Sequence, residues 1–115
     1  MKKLFFVLLA VELVFGAVSS DCGANDANPL IIDVRTEAEW RNGHLEGAIL
    51  IPYEFIGEKI GTVAKDRSRR IYVYCRSGRR SQIAKETLEK LLYKDVVNLG
   101  PLENAAKKMK RKIVK

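Results

Sequence analysis

Apolar residues in this chain recur in two rhythms. "PLIIDV" (29–34) and "IYVY" (71–74) are nearly unbroken apolar runs rich in β-branched or aromatic residues, the composition of strands covered on both faces. "GAILIPY" (47–53), ended by Pro52, and "DVVNL" (95–99) predict two further short strands. Between these runs the spacing changes. From Ser81 to Leu92, Ile83, Ala84, Thr87, Leu88, Leu91 and Leu92 share one face of a helix, and Lys85, Glu86, Glu89 and Lys90 occupy the other. "TEAEWRNG" (36–43) predicts a short helix with Thr36 as cap, acidic residues in its first turn and Gly43 as stop. In residues 54–63, Phe55, Ile56, Ile60 and Val63 are helically spaced, although Gly57 and Gly61 weaken the pattern. Residues 102–112, after Gly100-Pro101, form a last predicted helix, and "DRSRR" (66–70) is a charged loop.

Strands that alternate with helices across short loops predict an α/β fold: one domain over residues 29–115, with a central parallel sheet and helices on both faces. Ligands of such sheets bind beyond the carboxyl ends of the strands. Cys75 stands at that edge, directly after the third predicted strand.

The first segment does not join this pattern. Met1-Lys2-Lys3 is a short basic start, Leu4 to Val18 is apolar except for Glu12, and Ala17, Ser19 and Ser20 are small. That order predicts a secretory signal peptide over residues 1–20, a periplasmic mature protein, and a flexible lead-in over 21–28. A membrane-spanning helix needs about 20 apolar residues, and this run is shorter and carries a carboxylate. A lipoprotein anchor at Cys22 is disfavoured by Asp21 before it. No membrane association is expected once the leader is removed.

Charge changes the picture next. The chain has 21 basic and 14 acidic residues, a formal net charge of +7. Arg67, Arg69, Arg70, Arg76, Arg79 and Arg80 form one basic cluster, and Lys107, Lys108, Lys110, Arg111, Lys112 and Lys115 form another. Neither carries an aromatic-basic alternation or a nucleic-acid reader motif, so no nucleic acid is expected. A small anion suits the first cluster better, because that cluster surrounds a thiol. Two cysteines, Cys22 and Cys75, do not make a disulfide scaffold.

In "CRSGRRS" (75–81) the chemistry is concentrated. A lone cysteine at a strand end is usually a small hydrophobe, and an arginine run is usually a solvated loop. Here the loop joins a buried strand to an amphipathic helix, so its N–H groups and the helix's first-turn N–H groups can converge on one point. The helix start adds partial positive charge, Gly78 permits a turn that a side chain resists, and Arg76, Arg79 and Arg80 add full charges. A thiol so placed loses its proton readily. The candidate site is therefore Cys75 as nucleophile, with Arg76, Ser77, Gly78, Arg79, Arg80 and Ser81 as the anion cradle. Asp33 and Arg35, at the same sheet edge, are supporting residues read as a local ion pair. No residues have metal-ligand spacing and no phosphate-binding glycine motif occurs, so neither metal nor cofactor is expected.

Over residues 29–100 the chain resembles the single-domain rhodaneses. "IIDVRTEAEWRNGHLEGAILIP" is similar to the family's opening motif, "VYCRSGRRS" to its active-site loop and "LYKDVVNL" to its closing strand. Within the family it is most similar to the small exported type. The resemblance implies a sulfurtransferase: the Cys75 thiolate takes the outer sulfur of thiosulfate and passes it to cyanide or a thiol. Two positions depart from the family pattern. Leu92 replaces a glycine where the long helix ends, and Pro101 replaces the second glycine of a pair after the last strand.

A cysteine-dependent phosphatase or arsenate reductase also sets a thiol in an N–H cradle, but only four residues separate Cys75 from Arg80, one fewer than such loops require. A persulfide carrier that docks an acidic sulfur-exchange protein shares the same charged loop. His44, the only histidine, is read as structural, and Trp40 as a core residue.

Overall fold

The computed structural model describes residues 29–115. The expected leader and lead-in, with Cys22, lie outside the described residues. Strand β1 (Leu30–Asp33) leads to helix α1 (Glu37–Arg41), strand β2 (His44–Leu45) and strand β3 (Ile49–Leu50). A 3-10 turn (Tyr53–Phe55) runs into helix α2 (Ile56–Val63). Strand β4 (Ile71–Cys75), helix α3 (Arg79–Lys90), strand β5 (Val96–Pro101), helix α4 (Leu102–Met109) and strand β6 (Ile113–Val114) follow.

Four strands form a parallel sheet in the order β3-β1-β4-β5. Because side chains alternate across a strand, β1 and β4 feed two separate cores. Ile32, Ile71, Val73 and Cys75 pack beneath Ile56 and Ile60 of α2 and Ala84 and Leu88 of α3. Ile31 and Tyr74 point the other way and pack with Leu45, Leu99, Leu102 and Ala105. Each face thus has its helices, as expected for near-continuous apolar strands. Among the described residues, no helix is long and apolar enough to cross a membrane.

Several boundaries differ from the sequence-based expectation. Helix α3 starts at Arg79 instead of Ser81, so two of the loop arginines belong to its first turn. The strand expected over 47–53 is reduced to Ile49–Leu50. Helix α4 stops at Met109 because Lys110 adopts a left-handed conformation (φ +56°), and the chain then returns to pair β6 with β2 antiparallel. Two-residue strands leave no periodicity to read. Trp40 lies outside both cores and stacks on His44, ring centroids 3.5 Å apart.

Helix α3 ends in a Schellman motif: the Leu92 N–H donates to Glu89 O at 2.9 Å and the Tyr93 N–H donates to Leu88 O at 3.0 Å. The motif needs a left-handed residue at position 92, and Leu92 adopts it at φ +73° while 68% exposed. A side chain there costs about 1–2 kcal/mol of strain, which glycine, the residue of the family pattern, avoids. Leu92→Gly is therefore expected to raise stability by up to about 1 kcal/mol, read as a higher urea midpoint. A lower midpoint contradicts the strain.

Candidate active site

Cys75 closes β4, and its side chain is wholly buried at the carboxyl edge of the sheet, on the face covered by α3. The chain must turn at once to start that helix. It does so through Gly78, whose φ of +96° is open to glycine and disfavours any side chain. The turn points the Gly78 N–H at the sulfur, 2.9 Å away, and the Ser81 hydroxyl lies 3.4 Å from the same atom. Burial opposes ionisation of the thiol. Hydrogen bonding from the Ser81 hydroxyl and from the Ser81, Gly78 and Ser77 N–H groups outweighs it, and the Cys75 pKa falls below its ordinary value. These donors favour the thiolate form of the sulfur.

The basic residues divide into two kinds. Arg76 and Arg79 are exposed and form no ion pair among the described residues. Arg80 is turned to α1, where its two terminal nitrogens meet the two carboxylate oxygens of Glu39 at 3.0 and 2.9 Å. Glu39 also completes the capping box of α1: its Oε1 accepts from the Thr36 N–H at 3.1 Å, while the Thr36 hydroxyl accepts from the Glu39 N–H at 3.2 Å. One carboxylate therefore fixes the start of α1 and the start of α3. The Arg80 guanidinium, aided by Thr36 and opposed by burial, holds the Glu39 carboxyl at about 2, from an ordinary 4.5.

Asp33 and Arg35 form a buried ion pair, Nη2 to Oδ2 at 2.7 Å with Nε shared between both oxygens, and Arg35 also donates to Gly43 O at 2.7 Å. The guanidinium lies 5.7 Å from the centre of the Tyr74 ring, whose hydroxyl accepts from the Leu45 N–H at 2.9 Å. This network ties the end of β1 to β2 and to β4 one residue before the cysteine. Beside the sulfur loop a cleft of about 250 Å³ opens between Arg35, Glu39, Asn42 and Arg76 on one side and Leu102 and Glu103 on the other. Cys75 is not among the residues that line this cleft and packs in the core under α3.

The family model for the rhodanese-like domain matches residues 21–100. This chain belongs to the rhodanese-like sulfurtransferase family. It is 40% identical over 75 residues to the thiosulfate sulfurtransferase PspE of Escherichia coli, an overlap of 65% of this chain and 72% of that protein. A sulfurtransferase of Allochromatium vinosum is 36% identical over 76 residues, 66% of this chain and 69% of the other. In structure, a rhodanese from E. coli solved with anions superposes with a TM-score of 0.70 at 37% identity, covering 76% of this chain and 98% of that one.

Within this rhodanese domain all the expected site residues converge on the carboxyl edge, but in different relations to the sulfur. Gly78 and Ser81 touch it; Ser77 contributes its N–H; Arg76 and Arg79 face solvent; Arg80, Asp33 and Arg35 are engaged with other groups. Sequence reasoning missed Asn98 of β5. Its Oδ1 lies 2.7 Å from the Ser81 hydroxyl, and its amide nitrogen donates to Gly78 O at 3.1 Å. A polar residue inside an apolar strand was the available signal.

The Glu39–Arg80 pair makes a pH-dependent contribution. A carboxyl depressed in the folded state stabilises fully above its ordinary pKa of 4.5, and that stabilisation is lost as pH falls toward about 2. Urea unfolding at pH about 5 and about 2.5 is expected to show a larger loss for the unaltered protein than for Glu39→Gln. Equal losses contradict this role for Glu39.

Proposed function

We propose that this protein is an exported, periplasmic thiosulfate sulfurtransferase that carries sulfane sulfur as a persulfide on Cys75. The observation that carries the reading is the set of donors on a buried sulfur: Gly78 N–H at 2.9 Å and the Ser81 hydroxyl at 3.4 Å, at the start of α3. Such donors favour a thiolate over a thiol. In the first step the thiolate attacks the outer sulfur of thiosulfate. A Cys75 S–S bond forms, the bond to the sulfite sulfur breaks with its electron pair, and sulfite leaves. In the second step cyanide or an acceptor thiolate attacks the outer sulfur of the persulfide, and Cys75 departs again as thiolate. No proton carrier and no cofactor are required by this balance. The main-chain N–H groups from Ser77 to Ser81 stabilise the anionic sulfur at each stage.

Arg76 and Arg79 supply the attraction for the dianion. Arg80 contributes less, because Glu39 already offsets its charge. Asp33 and Arg35 hold the edge on which the loop is built. Cys75 is buried at rest, so thiosulfate reaches its sulfur only through movement of the groups around it. The acceptor is a small thiol, cyanide or an acidic sulfur-exchange protein drawn to the basic surface.

Turnover of thiosulfate and cyanide to thiocyanate, measured on the protein and on Cys75→Ser, tests the chemistry. The variant is expected to lose all transfer and to keep its fold. The unaltered protein is expected to gain the mass of one sulfur atom on Cys75, released by cyanide. Turnover that survives the substitution contradicts the mechanism; loading from a protein donor without thiosulfate turnover favours a carrier.

Charge roles have their own test. Arg76→Ala is expected to raise the KM for thiosulfate about three- to tenfold, with the difference shrinking at high salt, and Arg80→Ala is expected to raise it less. An unchanged KM for Arg76→Ala contradicts the assignment.

A further inference from the structure

Strand β5 slips out of step with β4 beside the cysteine. Val73 pairs with Asn98, but Tyr74 pairs with Gly100, so Leu99 is the extra residue of a bulge. Asn98 therefore stands where the register breaks, and its side chain reaches across the break. Oδ1 accepts from the Gly100 N–H at 2.9 Å and lies 2.7 Å from the Ser81 hydroxyl oxygen. Nδ2 donates to Gly78 O at 3.1 Å and to Gln82 Oε1 at 3.2 Å. The orientation of the amide is fixed: Gly100 offers only a donor and Gly78 only an acceptor, so the reversed amide would oppose both.

The Ser81 hydroxyl has one proton and three acceptors in reach: Asn98 Oδ1 at 2.7 Å, Gly78 O at 3.1 Å and Cys75 Sγ at 3.4 Å. Facing a neutral thiol, the short bond to the amide oxygen takes the proton. Facing a charged sulfur, the hydroxyl gains more by turning to it, since a bond to an ionised acceptor is roughly twice as strong as one between neutral groups. Asn98 Oδ1 takes the proton only in the first case, whereas in both cases Nδ2 holds the carbonyl of the residue whose N–H meets the sulfur.

We propose that Asn98 is a positioning residue of the sulfur site, whose amide nitrogen holds the Gly78 turn in place so that the Gly78 N–H donates to Cys75 when the sulfur is anionic. This rests on the thiolate chemistry proposed above. The charged groups around the sulfur come from other elements. Arg80 of α3 faces it with Glu39 of α1 bound to the guanidinium, Tyr53 of the 3-10 turn faces Arg80, and Arg76 is its chain neighbour. None of them is altered by a change at position 98, so a change in sulfur ionisation there reports the hydrogen bonds.

The test is the rate of Cys75 alkylation by iodoacetamide against pH, with the modified cysteine located by mass spectrometry of the whole chain's peptides. In Asn98→Ala the half-maximal pH is expected to rise by about half a unit to one unit. Ser81→Ala is expected to raise it as well, through loss of its own bond to the sulfur. A profile unmoved or lowered by Asn98→Ala overturns the proposal. If Asn98→Ala fails to fold by circular dichroism, Asn98→Ser carries the test. It keeps a polar group in the strand, adds no charge and is too short to tether Gly78, so the half-maximal pH is expected to rise; an unmoved or lowered profile overturns the proposal. If the unaltered protein already titrates like free cysteine, the thiolate reading itself fails, which separates that outcome from a failure of Asn98 alone.

Discussion

A sulfur atom cut off from water ionises only if something other than water stabilises its charge. In this protein that work falls to a few donors gathered by a forced turn. Strand β4 ends at Cys75, helix α3 must begin by Arg79, and the short connection leaves its N–H groups no strand partner. They converge on the sulfur because it is the acceptor at hand. Burial raises the cost of the charge, and the same burial strengthens each hydrogen bond to it. The balance lies with the donors.

The rest of the domain can be understood as the support of that turn. Below it, Asp33 and Arg35 join the ends of β1 and β4 through a buried ion pair and the Tyr74 ring. At its side, Glu39 spends one carboxylate on the cap of α1 and on Arg80, so the loop cannot shift without loosening a second helix. Across from it, Asn98 bridges the bulge in β5 to Ser81 and Gly78. Three strands thus contribute to a site that touches the sulfur through only two residues at close range. Arg76 and Arg79 stand outside these networks, exposed and in no ion pair among the described residues.

Much of this was legible in the sequence, for identifiable reasons. Continuous apolar runs at 29–34 and 71–74 disclosed doubly covered strands, and the face of Ile83, Ala84, Leu88 and Leu91 disclosed α3. Cysteine, glycine and arginine crowded into one strand-to-helix loop pointed to the candidate site. The glycine missing at position 92 flagged a left-handed turn, which the Schellman motif contains. What escaped detection depended on contacts distant in sequence. The pairing of β2 with β6 joins residues about seventy positions apart through two-residue strands that carry no period. The partners of Arg80 and Ser81 are 41 and 17 positions away. An arginine in a basic cluster gives no sign that a glutamate from another helix will hold it. The bulge at Leu99 likewise exists only relative to β4.

The most direct measurement is an ultraviolet titration of the Cys75 thiolate, with the Cys75→Ser protein as baseline. The account predicts an ionisation well below that of a free cysteine, despite complete burial of the side chain. An ionisation at or above the free value would mean that burial wins over the donors, and would contradict it.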